Sequence, residues 1–303
     1  MAGEELVLDG EVERKDEAEA VPAPKKSGTN WWAELKGVLW LVIAVFAFQS
    51  LIAKPFYIPS ESMLPDLLVG DRLVVTKYPY GWSFVSPIFH PLSFIHGRLF
   101  GHMPQRGDVV IVTPPGKKED YIKRVIGLPG DRLQVKDGVV ILNGTPVQRG
   151  PLHYVDIPDY GGVPLQEGGV SCDPSQYPGA QRIAADGSPV CHLPIVTETL
   201  PGGRRYDTVE LGYSPGDDYG PVTIPQGDVF LMGDNRDRSA DSRFSLIEEG
   251  LGGPVPWEYL GGRAEFVTFS LDGSASWNPL TWLTDFRGGR SGLSLHPRET
   301  GSR

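Results

Sequence analysis

From Gly37 to Ala53 the chain carries no charge, and Lys36 and Lys54 close that run at its two ends. At the helical rise it covers about 25 Å, and Trp31, Trp32 and the flanking lysines extend it toward full bilayer thickness. Such a run can be a transmembrane helix, a buried core helix or the apolar part of a cleaved signal peptide. A long acidic leader and the lack of an A-x-A site before Lys54 disfavour the last. The run therefore reads as one membrane span, residues 31–54. Its orientation rests on Lys25, Lys26 and Lys36 before it against Lys54 and Arg72 after it, a small asymmetry.

The formal charge of −10 belongs mostly to the leader, where eight acids between Glu4 and Glu19 face only Arg14 and Lys15 and carry −6 of it. Residues 1–30 read as a disordered acidic tail and a Pro/Lys/Ser/Gly linker. No basic stripe follows, so nucleic acid is not expected as a partner.

Beyond the span, short apolar runs alternate with turn residues. Arg72 to Lys77, Asp108 to Thr113, Tyr121 to Ile126, Leu133 to Lys136 and Val139 to Leu142 read as strands. Asp137-Gly138 and Asn143-Gly144 mark hairpin reversals. Further strands are expected at Arg205 to Leu211, Val222 to Ile224, Asp228 to Met232 and Arg263 to Leu271. No useful helical periodicity appears after the span, so the fold class is mostly antiparallel β with one N-terminal transmembrane helix.

Two stretches break this pattern. Trp82 to Met103 is rich in Trp, Phe, Ile and Pro, and either packs on its own domain as a hairpin or rests on lipid. Residues 150–205 are rich in Gly, Pro and Asp and hold the only two cysteines, Cys172 and Cys191. They read as an inserted subdomain closed by a disulfide in an oxidising compartment. Two thiols with only His192 nearby make an incomplete metal site, so no metal and no other cofactor is expected. The catalytic β domain is then 55–149 with 206–285, and 286–303 is a C-terminal tail.

Chemistry concentrates just after the span. Ser60 and Ser62 lie one residue apart between Pro59 and Pro65, which stiffen the segment. A serine hydroxyl becomes a useful nucleophile only when a base takes its proton. No histidine sits beside an acidic partner in a strand context, which disfavours a Ser-His-Asp arrangement. Lys123 lies in the middle of an apolar strand and shares a face with Tyr121 and Val125. Desolvation there lowers a lysine pKa and leaves the amine able to accept a proton, whereas the neighbouring Arg124 stays charged. A lone strand lysine is usually a solvated edge residue, so the assignment depends on its company.

That company is an ordered set of motifs: Pro59-Ser60-Glu61-Ser62-Met63-Leu64-Pro65, Gly70-Asp71, Arg106-Gly107-Asp108-Val109-Val110, Tyr121 to Asp131 (YIKRVIGLPGD), and Gly233-Asp234-Asn235-Arg236-Asp237-Arg238-Ser239-Ala240-Asp241-Ser242-Arg243. Together they resemble the motif set of bacterial type I signal peptidases over roughly residues 55 to 245, with the membrane segment where that family places it. The resemblance implies a Ser-Lys protease, single-pass in the cytoplasmic membrane with its catalytic domain on the outer face; a monomer is expected, though nothing in the motifs bears on oligomeric state. Such a protease would remove signal peptides from exported preproteins at A-x-A sites.

By motif position, the resemblance implies that Ser62 is the nucleophile and Lys123 the general base. Ser60 and the Ser62 amide would form the oxyanion hole, Ser239 would hydrogen-bond the lysine, Asp241 and Arg243 would pair behind it, and Gly233 and Asp234 would hold their loop close. Phe56, Ile58, Met63, Leu67, Tyr121 and Ile122 are the residues expected to wall a small-residue pocket, with the substrate paired to a strand edge. Glu61 stands where the family often has a small residue or glutamine, and Asp66 where threonine is common. A self-cleaving repressor would need a DNA-binding module, a dedicated pilin-processing peptidase would be shorter, and an inactive scaffold would have lost Ser62 or Lys123.

Overall fold

The computed structural model describes residues 30–87, 96–117, 119–159, 172–272 and 286–299. By contacts the chain divides into a unit up to Val42 and a second from Ile43 onward. Helix α1 spans Trp31–Leu51, is long and apolar enough to cross a membrane, and buries none of its residues. It ends before the expected limit of 54. The Ile52 carbonyl accepts a hydrogen bond from the Lys77 amide, Ala53 pairs with Thr76, and Pro55 has no amide hydrogen with which to continue a helix.

Everything after α1 among the described residues is strand, turn or short 3₁₀ helix, which agrees with the expected mostly antiparallel β class. In chain order come β1 (Ala53–Tyr57), β2 (Asp71–Thr76), β3 (Val109–Val112) and β4 (Tyr121–Gly127). The hairpin region gives β5 (Arg132–Lys136), β6 (Val139–Leu142), β7 (Thr145–Pro146) and β8 (Gln148–Arg149). Then follow β9 (His153–Pro158), β10 (Gln181–Ile183), β11 (Pro189–Thr199) and β12 (Arg204–Val209). The remainder are β13 (Tyr219–Thr223), β14 (Asp228–Met232), β15 (Val255–Pro256), β16 (Leu260–Ser270) and β17 (Arg298–Glu299).

The main sheet runs in the order β1-β2-β16-β3-β4-β14-β15. Strand β14 covers only part of β4, pairing with Arg124, Val125 and Gly127 and leaving Tyr121, Ile122 and Lys123 without a neighbour on that side. This half-covered strand positions the site. A second sheet, β10-β11-β12-β17 with β8 and β9 also on β11, occupies the stretch expected to be an insert. Its strands extend past the expected limits of 150 and 205. Prolines 189 and 194 made β11 hard to read as a strand, because proline demotes a run to an edge or to a loop. Pro194 nevertheless pairs with Tyr154, and its carbonyl accepts the Glu210 amide.

The expected C-terminal tail is packed where it is described. Arg287 donates to Ser270 Oγ at 3.1 Å, and Arg290 Nε donates to the buried Asp71 at 2.8 Å. In the aromatic stretch, Trp82 and Leu99 form an antiparallel bridge, Trp82 Nε1 donates to the Leu51 carbonyl, and Phe84 packs edge-on against Tyr259. Leu99 and Phe100 remain exposed. Ile88, Phe89, Phe94 and Ile95 of that stretch lie outside the described residues.

Two of the cores matter for the site. One gathers Ile58, Met63, Leu67, Ile122 and neighbours from β2, β3 and β16. Another gathers Leu64, Leu68, Tyr177, Leu193, Ile195 and the disulfide-bonded Cys172 and Cys191. The cysteine-bridged region is therefore not separate from the turn that carries Ser62, as the sequence had suggested, because two leucines of that turn complete its core.

Candidate active site

Residues 60–68 form a tight turn in which the Leu67 amide donates to the Met63 carbonyl at 3.0 Å. This i to i+4 spacing puts Met63 and Leu67 on one side and Leu64 and Leu68 on the other, each pair sunk in a different core. Ser62 is held between them. Its Oγ is hydrogen-bonded by Lys123 Nζ at 3.0 Å, and the Ser60 hydroxyl lies 3.4 Å from it.

Lys123 comes from the half-covered end of β4 and is 4% exposed. Burial lowers its pKa from 10.5 to about 8, against the pull of Asp241 and Asp234, which favour the charged form. Once neutral, the amine has a lone pair with which to accept the Ser62 proton across the same 3.0 Å contact. A serine hydroxyl and a near-neutral lysine amine in contact, away from bulk water, can do nucleophilic chemistry on a carbonyl.

The loop after β14 closes the site from behind. Asp241 takes a two-point ion pair from Arg243, with Nε to Oδ1 at 3.0 Å and Nη2 to Oδ2 at 2.9 Å, and also accepts the Gly233 amide at 2.9 Å. Burial alone would raise the Asp241 pKa, but the arginine and the amide outweigh it and hold the carboxyl below its ordinary range. Asp234 is fully enclosed and takes Arg124 Nε at 2.7 Å and Nη2 at 2.5 Å. Asp66 joins the same guanidinium at 3.1 Å. Arg236 spans to the insert sheet through a buried pair with Glu198.

Ser239 departs from expectation. Its Oγ is buried with no hydrogen-bond partner among the described residues, and no bond runs from it to Lys123. The amine is directed at Ser62 instead, while the Ser239 hydroxyl stands over Gly233.

A groove of about 570 Å³ opens over Ser62 and Lys123. Phe56, Ile58, Tyr121 and Ile122 line it together with Ser60, whereas Met63 and Leu67 are fully buried and support it from within the core. Glu119, Asp120, Arg238 and Glu249 also line the groove, and nothing in their sequence pattern marked them. The reading of the histidines needs correcting, since His296 Nε2 lies 2.6 Å from Glu265 of β16. His192 in β11 lies 2.6 Å from Asp156, directly opposite it in β9, because cross-strand register brings together residues 36 apart in sequence. Neither pair lines the groove.

Residues 31–269 match the family model described as signal peptidase, peptidase S26. The chain is similar to signal peptidase I of Rickettsia prowazekii (strain Madrid E), at 34% identity over 248 residues, covering 78% of this chain and 80% of that protein. It is likewise similar to signal peptidase I of Rickettsia massiliae (strain Mtu5), at 33% over 256 residues, covering 81% and 83%. Among solved structures, a signal peptidase I from Enterococcus faecalis V583 aligns with a TM-score of 0.27 and 20% identity, over 54% of this chain and 97% of that one.

Proposed function

This chain belongs to the signal peptidase family, peptidase S26, and we propose that it is a membrane-anchored serine endopeptidase that cuts signal peptides from exported preproteins through Ser62 and Lys123. The observation that carries the reading is the 3.0 Å hydrogen bond between Lys123 Nζ and Ser62 Oγ, made by an amine whose pKa burial has brought down to about 8. Helix α1 holds the chain in the cytoplasmic membrane, with the catalytic unit on the outer face.

Neutral Lys123 takes the hydroxyl proton as Ser62 Oγ attacks the scissile carbonyl carbon. The negative charge that develops on the carbonyl oxygen is met by the Ser60 hydroxyl and the Ser62 amide. Lysine ammonium then protonates the departing amine, leaving an acyl-enzyme. Water repeats the sequence with Lys123 again as base, freeing the signal peptide and Ser62. Asp241 and Arg243 keep the surroundings of the amine fixed.

The substrate lies extended in the groove, paired with the open edge of β4 at Tyr121 to Lys123. Phe56, Ile58, Tyr121 and Ile122 leave room for small residues of the A-x-A kind. The full chain in detergent with a preprotein tests the reading: Ser62→Ala, Lys123→Ala and Lys123→Arg should each abolish cleavage while the fold survives. Turnover by the arginine variant would remove the general-base assignment, because guanidinium does not give up its proton.

A further inference from the structure

Between the two serines of the site stands Glu61, held by hydrogen bonds from Tyr177 of the insert and from Asn235 of the loop after β14, which also bond each other. Tyr177 OH donates to Glu61 Oε2 at 2.6 Å. Asn235 Nδ2 donates to the Glu61 carbonyl at 3.1 Å and to Tyr177 OH at 3.2 Å. These three bonds use each proton once. The single tyrosine proton goes to the carboxylate, the tyrosine lone pair accepts from the amide, and the two amide protons go to the carbonyl and to the tyrosine. A fourth bond runs from the Asn235 backbone amide to the Ser62 carbonyl at 3.1 Å.

Asn235 thus grips two successive peptide units on either side of the Ser62 α-carbon. In a planar trans peptide, the carbonyl of one residue and the amide of the next point in opposite directions. Fixing the Glu61 carbonyl therefore fixes the direction of the Ser62 amide, the donor assigned above to the oxyanion. An oxyanion donor that must first reorient loses much of its effect, since its value lies in being aimed beforehand. Tyr177 is itself immobilised, being 1% exposed in the core that holds the Cys172–Cys191 bridge, Leu64 and Leu68.

We infer that Tyr177, reaching from the disulfide-bridged segment, and Asn235 are positioning residues that set the oxyanion-binding peptide through Glu61. The inference rests on the Ser62–Lys123 reading. It also gives the insert a part in catalysis and gives Glu61 a defined partner in Tyr177.

The test compares the full chain in detergent, cleaving one preprotein, with Tyr177→Phe, Glu61→Ala, their double variant and Glu61→Gln, well below the melting temperature of each. Tyr177→Phe keeps the ring in its core and removes only the hydroxyl. It is expected to lower kcat roughly fivefold, the effect of one lost hydrogen bond, with KM changed by less than about twofold. Adding it to Glu61→Ala should cost less than it does alone, since both remove the same bond. Glu61→Gln, which can still accept from Tyr177, should lose less than Glu61→Ala. An unchanged kcat in Tyr177→Phe, a loss confined to melting temperature, or losses that multiply in the double variant would each overturn the inference. Turnover surviving in Ser62→Ala would overturn the underlying reading instead, and that variant is run alongside to keep the two failures apart.

Discussion

A methyl group placed on Gly233 would lie 2.1 Å from the Ser239 hydroxyl oxygen and 2.5 Å from the Ser62 carbonyl oxygen. Glycine at 233 is thus a condition of closeness between the loop and the nucleophile. Gly233→Ala should lose most activity and about 1–3 kcal/mol of stability, as overpacked interiors do. Adding Ser239→Ala should not restore it, because the serine Cβ at 2.4 Å and the carbonyl remain. Near-normal turnover in Gly233→Ala would show that the loop is not pressed against Ser62.

Protonation gives a test of mechanism with two readouts. Burial brings Lys123 to about 8, and only the neutral amine can act as base, so kcat/KM should rise through that pH and level off above it. A flat profile from mildly acidic to alkaline pH, with chemistry rate-limiting, would contradict this.

Stability moves with the same proton. Between about pH 8 and the ordinary lysine value of 10.5 the unfolded chain binds the extra proton, so stability rises with pH across that window and the full penalty is present below it. Lys77, which donates to the Ser86 carbonyl, is also lowered to about 8, mainly by burial, and contributes in the same direction. Lys123→Met should therefore melt above wild type at neutral pH while being inactive. A lower melting temperature would show that the buried amine is not a stability cost.

The Arg124–Asp234 pair should behave differently. Each side chain is 1% exposed, so removing one partner strands a charge. Asp234→Ala should cost about 3–5 kcal/mol in urea unfolding, reduced by whatever Asp66 and the Gly107 carbonyl still supply to the guanidinium. A cost below about 1 kcal/mol would place the pair among surface-like ion pairs.

The cysteines yield a sharper expectation than a bridged loop alone would. Because Leu64 and Leu68 share the core of Cys172 and Cys191, replacing both cysteines by alanine should lower stability by about 2–4 kcal/mol and also lower kcat at elevated temperature. Activity that tracks wild type up to the melting transition would uncouple the bridge from the Ser62 turn.

Much of this was legible in the chain because it is local. Ser62 between two prolines, Lys123 in an apolar run and the Asp241-Ser242-Arg243 triplet each announce themselves within a few residues. What the sequence hid depends on distance along the chain. His192 and Asp156 meet only through cross-strand register, and Tyr177 reaches Glu61 across 116 residues. The pocket assignment failed in part for Met63 and Leu67, since an apolar residue beside a nucleophile can equally well support the wall from inside. The strands of the second sheet were obscured by prolines whose carbonyls still serve as acceptors.

Helix α1 gives way to β1 after a single residue, Ile52. From Leu51 to Ser62 there are eleven residue steps, so even a fully drawn-out chain could not put the nucleophile more than about 40 Å from the end of the helix. The pairing of β1 with β2 takes up part of that length. On the proposed reading, with α1 as a bilayer anchor, that short leash would confine the nucleophile to bonds passing close to the membrane, so reach as well as pocket would set which bond is cut.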